Sequence, residues 1–296
     1  MVNAHLGLTY ACNMSCKHCY VKEKKHNEVL VNQDVLLEKL EQFGTFYITY
    51  TMGETLLWKE FAEFAEKAKS KGFYQILLSN GSTIQSDDMV NNLVDMGIKK
   101  VGISIDSSDE NIHDSNRNYS GAYKLACNAI SLLSKQSNIW TQVTVTIGNH
   151  NLDDVIRIIE NMVKLGVKSF SFLWMRGSNG IEPIENKKKY EKVMRTLILK
   201  KNNDGLDINV HDYRMNPLID KMYESGEISL DTKEDFLNMN TCHALSELVL
   251  IDPSGDMYAC NFSKKPFANV YSTPLEKIAM FSCKDKPLCK ICNRKY

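Results

Sequence analysis

The sequence predicts an α/β protein whose main part is an open, partial (β/α)6 barrel followed by a small cysteine-rich domain. From residue 5 to about residue 200, short runs rich in β-branched and aromatic residues alternate with amphipathic helical patterns. Six such units with right-handed crossovers make a curved parallel sheet, but they are too few to close an eight-stranded barrel. The last 55 residues instead hold five of the nine cysteines.

The predicted elements follow from residue spacing and turn residues. The strands are expected at Leu6–Tyr10, Phe46–Tyr50, Gln75–Ser79, Val101–Ile105, Thr141–Ile147 and Ser169–Leu173, and the helices at Val35–Phe43, Phe61–Lys71, Asp88–Met96, Tyr123–Ser134, Leu152–Leu165 and Tyr190–Lys200. Apolar residues at Val155, Ile158 and Ile159 repeat with helical spacing. We therefore expect a barrel at residues 1–200, a segment of unclear structure at 201–240 where the alternation stops, and a C-terminal domain at 241–296.

Composition excludes several classes of protein. Lysine plus arginine (36) balance aspartate plus glutamate (36), so the zero net charge gives no reason to expect a nucleic-acid partner or an anionic membrane. No apolar run is long enough to span a bilayer, and the cysteine loop at Cys12 leaves no room for a signal peptide. We expect a cytoplasmic protein whose cysteines bind metal rather than form disulfides.

The most informative stretch is the loop that carries Cys12, Cys16 and Cys19 after the first predicted strand. A tight loop with this spacing can direct three thiolates to one point, whereas a structural zinc site or an ordinary ferredoxin cluster takes four protein ligands. Three thiols therefore leave one iron of a 4Fe–4S cluster without a protein ligand and able to bind another molecule. The alternatives are buried or disulfide-forming cysteines, or half of a zinc site.

This cysteine pattern after a first strand resembles the signature of the radical S-adenosylmethionine (radical SAM) enzymes, and later segments resemble the branch with a SPASM or twitch extension. The resemblance implies the same partial barrel. It also implies that the open iron chelates S-adenosylmethionine, whose reductive cleavage yields a 5′-deoxyadenosyl radical that abstracts a substrate hydrogen. A one-electron reductant of the flavodoxin or ferredoxin type is then a required partner.

Residues at the strand ends are similar to the family's cofactor-binding motifs. Gly53 and Glu54 match two positions of the Gly-Gly-Glu-Pro loop, whereas Met52 and Thr55 depart from it. The Ser79–Gly81 segment resembles Thr-Asn-Gly but is also a common turn. By this resemblance, the residues that bind S-adenosylmethionine are His18, Gly53, Glu54, Ser104 at the ribose, Arg117 at the methionine carboxylate, and Leu173 at the adenine. For Arg117 the alternative is a surface ion pair.

The C-terminal cysteines resemble the start of a SPASM or twitch domain. Cys242 and Cys260 flank a predicted hairpin, and a Cys-x2-Cys pair follows at Cys289 and Cys292. By resemblance these four hold one auxiliary 4Fe–4S cluster, and four cysteines equally suit a structural zinc ion. Cys283 has no assigned role.

The sequence favours a radical SAM enzyme that crosslinks, epimerises or oxidises a ribosomally made peptide. Since the chain starts at its first strand, such an enzyme would need a separate leader-peptide-binding protein or direct binding. One alternative is a small-molecule dehydrogenase or cyclase with a sugar- or cyclitol-type substrate, in which the auxiliary cluster accepts an electron. The other is a non-enzymatic Fe–S or zinc-binding protein. No general base or hydrogen donor is identified.

Overall fold

The protein is built on one ten-stranded sheet, in the order β12-β11-β10-β1-β2-β3-β4-β5-β6-β9. The computed structural model describes residues 2–23, 32–177, 180–240, 247–260, 263 and 265–279. The strands are β1 Val2–Leu6, β2 Thr45–Tyr50, β3 Tyr74–Ser79, β4 Ile98–Ser104, β5 Trp140–Ile147, β6 Ser169–Trp174, β7 Arg176–Gly177, β8 Gly180–Ile181, β9 Asp207–His211, β10 Leu248–Ile251, β11 Asp256–Tyr258 and β12 Ala268–Asn269. The helices are α1 Gln33–Gln42, α2 Phe61–Ser70, α3 Asp87–Asp95, α4 Glu110–Arg117, α5 Ala122–Leu133, α6 Val155–Lys164, α7 Lys187–Asp204, α8 Asn216–Glu224, α9 Leu230–Met239 and α10 Leu275–Ala279.

The predicted barrel core is confirmed. Strands β1 to β6 are hydrogen-bonded in sequence order, and every neighbouring pair is parallel. Helices are supported by their caps: Ser86 Oγ accepts from Met89 N at 3.2 Å, and Asn186 Oδ1 accepts from Lys189 N at 3.0 Å. The sheet ends at β12 and β9 rather than closing, so the barrel is open.

The first strand begins earlier than predicted. It covers Val2–Leu6 instead of Leu6–Tyr10, and its last pairs join Leu6 to Tyr50 of β2 and to Ile251 of β10. Its polar residues Asn3 and His5 alternate with apolar Val2, Ala4 and Leu6, which is itself the pattern of a strand with one buried face, so the prediction misplaced the strand although the pattern was present. Residues 7–10 instead lead into the cysteine loop. Helix α4 was also missed as a helix, since its sequence is mostly polar.

The prediction that the alternation stops at Asn202 is wrong. Helix α7 runs on to Asp204, and β9 then adds a further parallel strand beside β6. Helices α8 and α9 follow and pack against each other, and α9 contacts β9. Strand β9 does alternate polar and apolar residues, but the run is only five residues long, and it becomes a strand through its pairing with β6.

The predicted C-terminal hairpin is confirmed at β10 and β11, which are antiparallel. Strand β10 also pairs in parallel with β1, so this hairpin extends the sheet at the edge beside the cysteine loop. No described helix has the length and apolar composition to cross a bilayer.

The core lies between the sheet and the helices, while the lumen face of the barrel is polar. Buried Leu77, Ile103 and Val143 belong to the core cluster. On the lumen face, Ser104 lies opposite Thr144, which in turn lies opposite Ser171 of β6. Because side chains alternate along a strand, the apolar and polar sets face opposite sides of the same sheet.

Candidate active site

A cavity of about 680 Å³ lies at the carboxyl ends of the parallel strands, where sheets of this kind hold their ligands. All three cysteines of the first loop line it. Its remaining lining comes from the strand ends and lumen and consists of His5, Tyr10, Met14, Ser15, His18, Tyr20, Val21, Thr51, Met52, Gly53, Glu54, Leu78, Ser79, Asn80, Ser104, Arg117, Thr144, Thr146, Leu173, Trp174 and Met175. The structure thus brings every predicted cofactor-binding residue to one cavity.

The three thiols suit a cluster of several irons. Cys12, Cys16 and Cys19 are free and not disulfide-bonded, and each is at least partly exposed. Three soft thiol ligands that line one cavity suit an iron–sulfur cluster. Burial raises the pKa of the Cys12 and Cys16 thiols, so ligation has to stabilise their thiolate forms.

The loop after β2 packs directly on the cysteine loop. Gly53 has a φ of +54°, and a Cβ there would lie 2.5 Å from Ala11 O. Met52, at the position of the family's first glycine, also has a positive φ, of 68°. Its side chain fits because Gly7 lacks one: a Cβ on Gly7 would lie 2.6 Å from Met52 Sδ. Met52 therefore adopts the left-handed backbone conformation that favours glycine, and its side chain occupies the space that Gly7 leaves free.

Glu54 is almost fully buried, at 1% exposure, and connects the second and third strand ends. Its Oε1 accepts a hydrogen bond from Ser79 Oγ at 2.9 Å, and its Oε2 accepts one from Asn80 N at 2.8 Å. Burial raises the pKa of Glu54 to about 7, although these hydrogen bonds act in the opposite direction. Asn80 Nδ2 in turn lies 3.9 Å from Cys12 Sγ. The Ser79–Gly81 turn therefore forms part of the site.

Arg117 forms an ion pair, as its alternative interpretation had it, but the pair is buried. Its Nε lies 2.8 Å from Asp106 Oδ2, and its Nη1 donates to Cys16 Sγ at 3.7 Å. Asp106 also lies 3.7 Å from His18 Nε2, and its backbone N donates to His113 Nδ1 at 3.1 Å. Burial alone would raise the pKa of Asp106, but the charge of Arg117, the two neighbouring histidines and a backbone hydrogen bond together outweigh it and hold that pKa below its usual value.

The sequence did not assign Asp106 a role. Alternation along β4 placed it on the face of Ser104, but the strand ends at Ser104 and the alternation ends with it. The available pattern was a carboxylate directly after a strand and eleven residues before an arginine. Only the turn of the chain through α4 brings the two side chains together.

The far wall of the cavity contains Leu173, Trp174 and Met175. Leu173 is 37% exposed, so its side chain offers an apolar surface against which a flat ring could pack. Trp174 donates through Nε1 to Glu182 O at 2.9 Å, and the Arg214 guanidinium lies 4.7 Å from its ring centre. The sequence missed Trp174 and left the position of Arg214 open.

At the other end of the cavity, the cysteine loop is tied to the C-terminal hairpin. Tyr10 Oη donates to Asp252 Oδ2 at 2.8 Å. Cys260 follows β11 at the same sheet edge, and its Sγ lies 3.8 Å from Ser263 Oγ. The other predicted auxiliary ligands, Cys242, Cys289 and Cys292, lie outside the described residues, as does Cys283.

A partial parallel barrel with three thiols at the mouth of its cavity defines an enzyme of the class that holds an iron–sulfur cluster there. The family model described as "Radical SAM superfamily" matches residues 6–186, more than half of the chain. The chain belongs to the radical SAM superfamily, whose cofactors are a 4Fe–4S cluster and S-adenosylmethionine. The resemblance of the cysteine loop is thereby confirmed.

Three similar proteins show how far the likeness extends. The "Sporulation killing factor maturation protein SkfB" of Bacillus subtilis (strain 168) is 36% identical over 172 residues, which cover 57% of this chain and 41% of SkfB. An "AdoMet-dependent heme synthase" of Methanosarcina barkeri (strain Fusaro / DSM 804) is 21% identical over 285 residues, which cover 92% of this chain and 80% of that protein. Streptococcus suis SuiB, in its crystal structure bound to precursor peptide SuiA, has a TM-score of 0.71 at 12% identity and covers 97% of this chain and 65% of SuiB. The chain spans less than half the length of the first curated relatives it matches.

Proposed function

We propose that this chain is a radical SAM enzyme that modifies a ribosomally made peptide. The observation that carries the proposal is the chemistry of the cavity wall. Among its described lining residues, Arg117 is the one lysine or arginine side chain, and it already faces Asp106 and Cys16. The hydroxyls of Ser104, Thr144 and Thr146 suit neutral hydrogen-bonding groups, which peptide backbones supply in abundance.

The second candidate is a small-molecule substrate, favoured by the long alignment with a heme synthase. Porphyrins carry carboxylates, and carboxylates are commonly bound by arginine or lysine. The described cavity wall offers no such cation besides Arg117. A neutral sugar or cyclitol suits the hydroxyl-lined lumen, so the small-molecule alternative that we propose is an uncharged substrate. The maturation role printed for SkfB and the precursor peptide bound to SuiB support the peptide.

The roles proposed for the site follow from position. Cys12, Cys16 and Cys19 hold the cluster, and Gly53, whose missing side chain lets the backbone before Cys12 pack closely, lines the cavity as part of the cofactor site. Ser104 is assigned to the ribose, Arg117 to the methionine carboxylate and Leu173 to the adenine. When bound, the cluster and S-adenosylmethionine together supply the radical that takes a substrate hydrogen.

His18 and Glu54 support the site in different ways. His18 orients the cysteine loop through the contact of its Nε2 with Asp106 Oδ2, at 3.7 Å. Glu54 holds the third strand end against the second through Ser79 and Asn80. Both side chains line the cavity, so their assignment to cofactor binding is kept as part of the proposal.

A SPASM- or twitch-type auxiliary 4Fe–4S cluster, held by Cys242, Cys260, Cys289 and Cys292, is part of the proposal. Such a cluster has no open iron, so electron transfer is its expected role if the net reaction is an oxidation. The sheet edge beside β1 supports this placement, since the hairpin that leads to Cys260 pairs directly with β1 at that edge. A flavodoxin- or ferredoxin-type reductant and a separate leader-binding protein are the proposed partners, in the cytoplasm.

The test is anaerobic incubation with S-adenosylmethionine, dithionite and candidate precursor peptides encoded beside the gene, followed by mass spectrometry of the peptides and assay of 5′-deoxyadenosine. A peptide mass change that needs Cys12, Cys16 and Cys19 is the expected result. Turnover of a sugar or cyclitol instead, with every peptide unchanged, would establish the small-molecule alternative. The Cys12→Ala variant should form no 5′-deoxyadenosine in either case.

A further inference from the structure

A buried ion pair lies directly behind one of the cluster cysteines. Asp106 is 1% exposed and Arg117 is 8% exposed, and their charged atoms Oδ2 and Nε are 2.8 Å apart. The same guanidinium points its Nη1 at Cys16 Sγ, 3.7 Å away. The Arg117 guanidinium thus contacts both the Asp106 carboxylate and the sulfur of Cys16.

This contact has a consequence for the redox chemistry of the cluster. Hydrogen bonds to the cluster's sulfurs and nearby charge set the reduction potential of iron–sulfur clusters. A cationic N–H that donates to a ligand sulfur stabilises the more negative, reduced state. Because the pair is buried, salt and water screen its charge far less than they would screen a surface arginine.

The negative charge of Asp106 acts on the reduction potential in the opposite direction. Its carboxylate offsets part of the positive charge that Arg117 brings close to Cys16. The other titratable groups close to the pair are His18, at 3.7 Å from Asp106, and His113, which accepts from the Asp106 backbone. Removing the carboxylate while Arg117 stays would leave the sulfur next to a less compensated cation.

We propose that Arg117 raises the reduction potential of the radical-generating cluster through its N–H contact with Cys16, and that the Asp106 carboxylate limits this effect by compensating part of the guanidinium's charge. This role is additional to methionine carboxylate binding. It depends on the 4Fe–4S cluster of the family and not on the identity of the substrate.

The test is a redox titration, monitored by electron paramagnetic resonance (EPR), on anaerobically purified protein. S-adenosylmethionine is left out so that binding of its methionine carboxylate by Arg117 does not affect the potential. The relevant signal is the one that a Cys12/Cys16/Cys19→Ala triple variant lacks. We expect Arg117→Gln to shift the midpoint potential to a more negative value and Asp106→Asn to shift it to a more positive value. Arg195→Gln, which removes a guanidinium from the α7–Glu227 pair, is the control and should leave the potential unchanged.

Shifts of opposite sign in the two variants support the proposal. An unchanged potential in Arg117→Gln, or shifts of the same sign in both variants, overturns it and leaves the pair a structural support of the loop. If Arg117→Gln does not retain iron, Asp106→Asn decides alone, because it keeps both Arg117 and Cys16. A potential that is unchanged or more negative in Asp106→Asn then rejects the proposal. Equilibrium dialysis of S-adenosylmethionine separately measures whether Arg117 binds the methionine carboxylate.

Discussion

The backbone of Gly53 lies so close to Ala11 that a Cβ on the glycine would be 2.5 Å from the alanine's carbonyl oxygen. The same oxygen accepts a hydrogen bond from the Glu54 backbone N at 2.8 Å. Ala11 immediately precedes Cys12, so this contact fixes where the cysteine loop begins relative to the end of β2. The positive φ of Gly53 and the absence of its side chain both serve this approach.

Gly53→Ala is therefore expected to displace the cysteine loop and to lower iron content. The matched control is Gly44→Ala, since Gly44 also has a positive φ, of +66°, but a Cβ there has nothing within 4 Å. Both variants carry a backbone strain of about 1–2 kcal/mol, and only Gly53→Ala adds the clash. Iron analysis and thermal unfolding check this. Equal iron content in the two variants would show that the close approach is not needed.

Glu54 should make stability depend on pH. Its folded-state pKa of about 7 lies above the ordinary value of 4.5, so the folded state binds the proton more tightly. Its contribution to stability is present in full below about pH 4.5 and is lost as pH rises to about 7. The difference in unfolding free energy between wild type and Glu54→Gln should therefore change by on the order of 3 kcal/mol across this range. Denaturant titrations of the protein without S-adenosylmethionine measure it, with exposed Glu63→Gln as control. A pH-independent difference would contradict the assignment.

Arg214 is expected to support the far wall of the cavity, which contains Leu173, the residue proposed to pack on the adenine. Its guanidinium stacks on Trp174, and its Nε and Nη2 each donate to Asp212 at 2.8 Å. Lysine keeps the charge but loses the planar, two-pronged geometry. Arg214→Lys should weaken S-adenosylmethionine binding roughly three- to tenfold, because the planar guanidinium that stacks on Trp174 is lost. Equilibrium dialysis provides the measurement, and Arg195→Lys on α7 provides the control. Unchanged affinity would mean that Trp174 is held in place without Arg214.

Metal content should divide between the two cysteine sets. We expect roughly eight irons per chain after anaerobic purification and about four in the Cys12/Cys16/Cys19→Ala variant. The complementary Cys260→Ala change should remove the other four, while Cys283→Ala should remove none. About four irons with one zinc in the wild type, and loss of all iron in the triple variant, would make the C-terminal site structural.

The alternation of strands and helices was readable from sequence because the helices carry a strong periodic pattern, as α6 does in Val155, Ile158 and Ile159. The cysteine loop was readable because its spacing is local and does not depend on the rest of the fold. The positions of strands β1 and β9 were missed. Each is a five-residue run in which polar and apolar residues alternate, and so short a run becomes a distinct strand only through pairing with its neighbours.

By itself the sequence determined the family, the partial barrel and the residues that gather at the cavity, from Cys12 to Leu173. Tertiary structure alone decided their partners: that Asp106 faces Arg117, that Glu54 joins Ser79 to the second strand end, and that Gly7 makes room for Met52. The physical reason is that spacing along a chain specifies faces and turns, whereas ion pairs and close packing depend on which segments the fold brings within a few ångströms of each other.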